Sequence, residues 1–261
     1  MKKTLIALAV AASAAVSGSA MAWTQSATVN GAVDFVGSLT PELKVIPWEA
    51  KIGATANDLV GVIKQGNTTA DVYVNATIPV LGIRTVSNSG FTGGEGLNPQ
   101  IDYGHSVDFA ASNNGVVPVT LTVKDANNQN EIGTLSTSMN VVARLAWKTA
   151  DAGQNFNVFA GDVGQTFFGG VASSAEAISS SASVGDANAL FPGVTDKYTD
   201  LGSTDIGSWG GVQVDGVDTT YSGFYASAVK AGSVLKLALN APADVDAIHW
   251  TAKLPITVYY Q

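Results

Sequence analysis

The chain has 261 residues, no cysteine and a formal net charge of −8 at pH 7. This acidic balance gives no positive field for nucleic acid or anionic lipid, so neither is expected as a partner. The lack of cysteine excludes disulfides, thiolate nucleophiles and cysteine-ligated zinc, and stability must therefore come from an apolar core. Charged residues make up only 13% of the chain; together with abundant Ser, Thr, Asn and Gly this is typical of β-rich exported proteins.

Residues 1–22 are predicted to be a cleavable secretory signal peptide. Lys2 and Lys3 form a positive start, an apolar run follows, and Ala20-Met21-Ala22 supplies the small-x-small cleavage site. The apolar run has only about 12 residues, whereas a helix that crosses a bilayer needs about 20. We therefore expect an exported protein that begins at or near Trp23.

The next segment, residues 23–36, has the alternating pattern of a β-strand. Val29, Gly31, Val33 and Phe35 alternate with polar or small residues, so they share one face. Chain ends are usually poorly ordered unless another surface holds them. Because this chain end alternates like a strand, we expect it to pack against another surface that orders it.

Residues 37–261 are predicted to form one all-β domain. The clearest alternation covers residues 117–123, 139–147 and 234–239. No strand–helix–strand alternation and no heptad repeat is present, which favours an antiparallel sandwich or barrel. From about residue 149 to 224 the period weakens, and Gly, Ser and Asp become frequent. We interpret this stretch as an insertion with loops and one or two short helices.

No catalytic residue, metal site or cofactor is predicted. The two histidines, His105 and His249, have no nucleophile or metal-ligand spacing around them. Acidic pairs such as Asp215 and Asp218 have no feature that separates them from solvated loop acids. The sequence therefore gives no positive support for an enzyme.

Both chain ends resemble those of chaperone–usher pilus subunits. Residues 28–37 (TVNGAVDFVG) resemble the N-terminal extension of such subunits, and residues 250–260 (WTAKLPITVYY) resemble their C-terminal strand. In that family the first segment fills a groove in the neighbouring subunit, and the second contacts a periplasmic chaperone. The residues that share the inward face of the C-terminal strand are Leu254, Ile256, Val258 and Tyr260.

More narrowly, the chain resembles the cysteine-free FaeG/ClpG-like major fimbrial subunits that double as adhesins. The resemblance rests on motifs spread in order over most of the chain, although residues 173–208 match nothing in the family pattern. The motifs are the leader, Trp48 with Lys51 and Gly53, and residues 131–135 (EIGTL), 167–170 (FFGG), 221–224 (YSGF) and 231–233 (AGS).

This resemblance implies an immunoglobulin-like sandwich that lacks its last strand. A periplasmic chaperone would cover the open groove, and the next copy's residues 23–36 would replace it by strand addition at an outer-membrane usher. Gly31 would fit a shallow point of the groove. A head-to-tail contact that does not close produces a filament, here a fimbria on the cell surface.

The resemblance also implies adhesion to host-cell glycans through the insertion. Sugar sites combine an aromatic face with amide or carboxylate hydrogen bonds. The aromatic candidates in and beside the insertion are Phe167, Phe168, Trp209, Tyr221 and Tyr225.

Two other classes of protein remain open at this point. An outer-membrane β-barrel also has a leader, alternation and an aromatic residue near its end. The weakly periodic stretch of residues 149–224, however, leaves few strands of barrel length. The other class is a secreted glycan-processing enzyme.

Overall fold

The computed structural model describes residues 28, 35–39, 45–57 and 59–261. Contacts divide the chain into two units, Met1–Leu43 and Lys44–Gln261. The predicted signal peptide lies outside the described residues, as do Val29, Gly31 and Val33. Every element below belongs to the second unit.

The described part of this unit contains thirteen strands, one α-helix and one 3-10 helix. The strands are β1 Trp48–Ile52, β2 Thr69–Tyr73, β3 Ile78–Thr85, β4 Phe91–Thr92, β5 Pro99–Asp102, β6 Val116–Asp125, β7 Glu131–Lys148, β8 Gly153–Phe159, β9 Asp205–Gly210, β10 Thr220–Val229, β11 Val234–Leu239, β12 Trp250–Ala252 and β13 Thr257–Tyr260. The α-helix α1 covers Val184–Leu190, and the 3-10 helix covers Phe109–Ala111.

Strand β7 organises the large sheet because both of its edges are paired along most of its 18 residues. Its first half lies between β6 and β11, and its second half lies between β8 and β10. Strand β3 follows β10, and β1 follows β3. All of these pairings are antiparallel, whereas β9 pairs with β8 in parallel. Strands β5 and β13 form a separate antiparallel pair.

The burial pattern of β7 differs between its two halves because the halves lie in different environments. In its first half, buried Gly133 and Leu135 alternate with exposed Thr134 and Ser136, since one face meets solvent. In its second half, Val141 to Ala146 are all buried because the sheet is covered on both faces.

The main core lies between the large sheet and the β5–β13 pair. It includes fully buried Leu81, Leu145, Phe156 and Tyr225, together with Ile101 from β5. Trp48 closes one end of this core, where its indole Nε1 donates a hydrogen bond to the carbonyl of Leu97 at 2.8 Å. A smaller apolar cluster around Val72, Leu235 and Leu237 fills the other end of the sheet.

Part of the predicted insertion, residues 182–198, packs on the opposite face of the large sheet. Ala187, Leu190 and Phe191, in and just after α1, pack with Phe224 and Ala226 of β10. The predicted short helix is therefore present. The expected range of about 149–224, however, also contains β8, β9 and the first five residues of β10, which are sheet strands.

The fold is all-β and immunoglobulin-like, as predicted from the strand pattern and the resemblance. Within the described residues, no helix is long and apolar enough to cross a membrane.

Candidate assembly and adhesion surfaces

The C-terminal strand presents one apolar face that is only half covered. Leu254, Ile256, Val258 and Tyr260 pack against the main core, but each keeps part of its surface accessible. Partial burial raises the pKa of the Tyr260 phenol. Residues between them along the chain, such as Thr257 and Tyr259, are exposed. The predicted alternation is thus present, with its inner row incompletely covered.

This strand also has one unpaired edge. Within the described residues, β13 pairs with β5 alone. Asn98 and Gln261 exchange both backbone hydrogen bonds, at 2.9 and 3.1 Å. Because such pairs alternate along an antiparallel ladder, Tyr259 and Thr257 also face β5. The N–H and C=O groups of Val258 and Tyr260 consequently point toward the open edge.

Other half-buried apolar side chains pack against the same core. The set includes Phe109 of the 3-10 helix and Leu121 of β6, whereas most core-facing residues of the central strands β7 and β10, with the exception of Trp147, are buried. Incomplete cover is therefore concentrated at part of the core. The other half-buried side chains of this set are Ile46, Phe91, Val107, Trp147 and Phe168.

Of the predicted donor residues, only Phe35 lies within the described part of the chain. Its side chain is 95% exposed, as is that of Val36, and Leu39 is 100% exposed. Three large apolar side chains close together in sequence are thus without cover in a single copy. Such exposure favours a partner surface over solvent.

Three of the five predicted glycan-contacting aromatics belong to the core. Phe167 and Tyr225 have no exposed surface and Tyr221 has 6%, so none of them can stack on a sugar in this conformation. Phe167 instead packs edge-on against Trp48 with ring centroids 5.6 Å apart. For these residues the prediction is corrected, because aromatic side chains serve cores more often than ligands.

Trp209 is the candidate that combines exposure with a fixed orientation. It lies on β9, at the edge of the large sheet, and is 46% exposed. One side of the indole packs edge-on against Phe156, with ring centroids 5.0 Å apart. A ring that is braced by a buried neighbour and open to solvent can stack on the apolar face of a pyranose. Phe168 is half-buried beside the main core.

A buried arginine connects the insertion to the sheet. Arg144 of β7 donates from Nε to Asn157 Oδ1 at 2.9 Å and from an Nη atom to the carbonyl of Ala182 at 2.7 Å. Asn157 Nδ2 in turn lies 2.9 to 3.0 Å from the carbonyls of Ser179, Ser180 and Ala182. Sequence reasoning missed this network, although an arginine inside an otherwise apolar strand (NVVARLAW) is a usable signal.

Helix α1 begins directly after Ala182, the last residue of this network, with Ser183 as its N-cap. The Ser183 hydroxyl accepts a hydrogen bond from the Asp186 N–H, and the Asp186 carboxylate accepts one from the Ser183 N–H. The hydrogen bond from the Ser183 N–H, and a further one from the Ser183 hydroxyl at 2.7 Å, lower the pKa of Asp186. This capping box fixes the start of a helix too short to be stable alone.

Two buried tyrosines form a hydrogen-bonded pair inside the main core. The Tyr103 and Tyr225 hydroxyls lie 2.8 Å apart, and Ser227 lies 3.1 Å from Tyr103. Burial raises the pKa of Tyr103 to about 12 and raises that of Tyr225 well above its usual value. These groups are neutral hydrogen-bonding partners at physiological pH.

The fold defines the class of the protein as an immunoglobulin-like β-sandwich subunit with an open terminal edge, the kind of edge that can bind a partner strand. A family model described as "Fimbrial, major and minor subunit" matches residues 1–261. The chain therefore belongs to this family of fimbrial subunits, which form non-enzymatic fibres at the cell surface.

Individual relatives agree over their whole lengths. The chain is 30% identical to the K88 fimbrial protein AB of Escherichia coli, with 100% of each chain covered. It is 29% identical to the K88 fimbrial protein AC and 28% identical to the F41 fimbrial protein of the same organism, again with 100% coverage of both chains. Of the classes that the sequence left open, these findings select the fimbrial subunit and confirm the resemblance.

Proposed function

We propose that this subunit polymerises by donor-strand exchange and that its fibre adheres to host-cell glycans. The observation that supports the first half is the C-terminal strand. It combines outward-pointing backbone groups at Val258 and Tyr260 with a half-covered apolar row. An added strand would pair with the former and cover the latter.

The donor is the neighbouring copy's residues 23–36. Val29, Val33 and Phe35 supply the alternate apolar side chains, and Gly31 fits where the groove is shallow. Full burial of an apolar side chain contributes about 1.5–3 kcal/mol, so three of them supply roughly 4–9 kcal/mol as an upper estimate. Backbone hydrogen bonds add to this and fix direction and register.

A periplasmic chaperone holds the same edge before assembly. An uncovered strand with an apolar row is an aggregation hazard, so the subunit needs a temporary strand during export. Leu254, Ile256, Val258 and Tyr260 provide that contact, and an outer-membrane usher is where the neighbour's segment replaces the chaperone. The incomplete domain then spans residues 37–261, after the signal peptide of residues 1–22.

Two proline variants of β13 test this assembly. Val258→Pro removes an N–H that points to the open edge, whereas Thr257→Pro removes one that faces β5. We expect Val258→Pro to keep a folded subunit that fails to polymerise, and Thr257→Pro to lower the stability of the subunit itself. Normal fibres from Val258→Pro would refute donor-strand exchange at this edge.

A peptide experiment isolates the donor. A synthetic peptide of residues 23–36 should raise the unfolding temperature of the subunit. Deleting Ala32 from the peptide moves Val29 and Phe35 to opposite faces, so that peptide should have little effect. Equal stabilisation by the two peptides would contradict a register-specific groove.

The observation that supports adhesion is the exposed indole of Trp209 on β9, at the edge of the large sheet, which Phe156 braces from one side. Trp209→Ala should reduce the binding of purified fibres to a neutral glycan array by about tenfold, since stacking contributes on the order of 1 kcal/mol or more. Tyr73, an aromatic residue of β2 that is 62% exposed, provides the matched control Tyr73→Ala. Equal binding by both variants and the wild type would remove Trp209 from the proposal.

A further inference from the structure

A cleft of about 590 Å³ opens where the insertion meets the edge of the large sheet. Its walls are residues 51, 53–57 and 59, at and after the end of β1, and residues 74–79, which connect β2 to β3. Phe191 and Pro192, which follow α1, complete it from the insertion side. The volume lies within the range of small-molecule sites, about 300–1,000 Å³.

Backbone geometry builds the mouth of this cleft. The Gly53 N–H donates to the carbonyl of Val80 at 2.9 Å. A Cβ atom at Gly53 would lie 1.8 Å from the carbonyl oxygen of Pro79, so only glycine allows this approach. After Gly53 the chain leaves β3, and the gap between the two segments forms the cleft.

The lining separates into an apolar floor and a polar rim. Ile78 and Pro79 are half-buried, and Phe191 is buried with 5% of its surface exposed. At the rim, the side chains of Asn57 and Asn75 are exposed and take part in no hydrogen bond within the part of the chain that the structure describes. Free amides above an apolar floor match the alternating hydroxyl groups and C–H faces of a saccharide.

The charge of the cleft lining indicates which class of saccharide the cleft would bind. Lys51 is the single charged residue among the described residues that line the cleft, and it forms no ion pair within the described chain. Glu49, two residues earlier on the same face of β1, is already bound to Arg84 at 2.6 Å. An unpaired lysine at the rim favours an anionic group on the ligand.

We propose that this cleft binds an acidic saccharide, meaning a sugar that carries a carboxylate or a sulfate. Lys51 binds the anionic group, Asn57 and Asn75 bind hydroxyls, and the floor at Ile78 and Pro79 contacts the sugar ring. The ligand class rests on the proposed adhesive function. The cleft, however, shares no residue with the Trp209 surface, and the two sites can be tested separately.

The test uses intact wild-type and variant fibres with pairs of oligosaccharides that differ only in the acidic group: carboxylated, sulfated and neutral. We expect Lys51→Met to reduce binding of an acidic member about tenfold and to leave neutral members unchanged. Lys236, an exposed lysine of β11, gives the matched control Lys236→Met, which should bind like the wild type. The carboxylated and sulfated arms identify which anion the site takes.

A second variant acts through volume instead of charge. Ala76 is an exposed lining residue, so Ala76→Phe should fill the cleft and cause the same loss without changing the net charge. Fibres from all variants should form normally, which electron microscopy checks.

The outcomes separate the two proposals. Unchanged acidic binding by Lys51→Met, or an equal loss in Lys236→Met, overturns the cleft site. Loss of acidic binding in Trp209→Ala alone also overturns it and leaves the proposed adhesion intact. Wild-type fibres that bind neutral but not acidic sugars refute only the cleft, and fibres that bind neither refute both.

Discussion

Trp48 and Trp209 form a natural pair for separating fold stability from adhesion. Trp48 is 5% exposed, and its indole N–H satisfies the buried carbonyl of Leu97. It also contacts the rings of Phe91 and Phe167 edge-on, at centroid distances of 5.1 and 5.6 Å. Trp209 is 46% exposed, and its Nε1 has no hydrogen bond within the described residues. The same substitution to phenylalanine therefore removes very different interactions.

Trp48→Phe leaves the Leu97 carbonyl without its donor, which costs about 1–3 kcal/mol, and loses ring contacts worth about 1 kcal/mol more. We expect a loss of roughly 2–4 kcal/mol in the free energy of unfolding. For a domain of this size that lowers the unfolding temperature by roughly 5–15 °C. Trp209→Phe should cost under about 1 kcal/mol, because the residue is half exposed.

Thermal unfolding of the full chain, followed by far-ultraviolet circular dichroism, measures both changes. The glycan array then supplies the second readout: Trp209→Phe should alter sugar binding with little change in stability, and Trp48→Phe the reverse. If Trp48→Phe were no more destabilising than Trp209→Phe, the assignment of Trp48 to a hydrogen-bonded core position would be wrong.

Three further predictions concern the buried network, the tyrosine pair and the donor segment. Arg144→Leu removes the donor to Asn157 Oδ1 and one of the two donors to the carbonyl of Ala182, so it should cost about 1–3 kcal/mol and speed proteolytic cleavage of the insertion, measured by limited proteolysis; an unchanged cleavage rate would contradict the anchoring role. Because the pKa of Tyr103 is raised from 10.0 to about 12, its contribution is complete below pH 10 and is lost as pH rises through that window. Tyr103→Phe should therefore lose less stability than the wild type between pH 10 and 12, and equal slopes of stability against pH would exclude this cause. Gly31→Leu should slow fibre assembly in electron-microscopic time courses while subunit unfolding stays unchanged, and assembly at the wild-type rate would argue against a shallow groove at that position.

The sequence predicted strands well where one face meets solvent. Buried Leu235 and Leu237 of β11 alternate with exposed Lys236 and Ala238, and the C-terminal strand alternates similarly. Such a pattern is visible because polar residues are tolerated on one side only.

Strand β10, which is buried on both faces, escaped prediction. In β10, every residue from Tyr221 to Val229 is buried, because odd positions such as Tyr225 enter the main core and even positions such as Phe224 pack under the insertion. Burial on both faces removes the polar alternation, so the start of β10 was included in the insertion. Pro79 shows a related limit: a proline in a strand usually marks a bend or an edge, yet Pro79 lies in β3, between β1 and β10, beside a register shift at Ser227 and Ala228 that accommodates it.

For the candidate sites, the sequence indicated residues by their type, and the structure shows which of them are accessible. The aromatic composition of the insertion pointed to a stacking surface, but burial decides which rings can be reached, and Tyr221 and Tyr225 are inside. The cleft beside Lys51 depends on a backbone approach at Gly53 and on contacts between distant segments. Contacts between distant segments leave no periodic pattern in a single sequence, so this cleft could not be predicted from the sequence.

The large sheet separates two faces of the subunit that carry different structures. The main core and the C-terminal strand lie on one face, whereas α1 and the segment clamped by Arg144 lie on the other. Substitutions around α1 reach the first face through the shared strands β7 and β10. The segment around α1 can therefore vary in sequence without touching the C-terminal strand. For the same reason, the insertion is a suitable place to display foreign epitopes in a dense, regular array along a fibre.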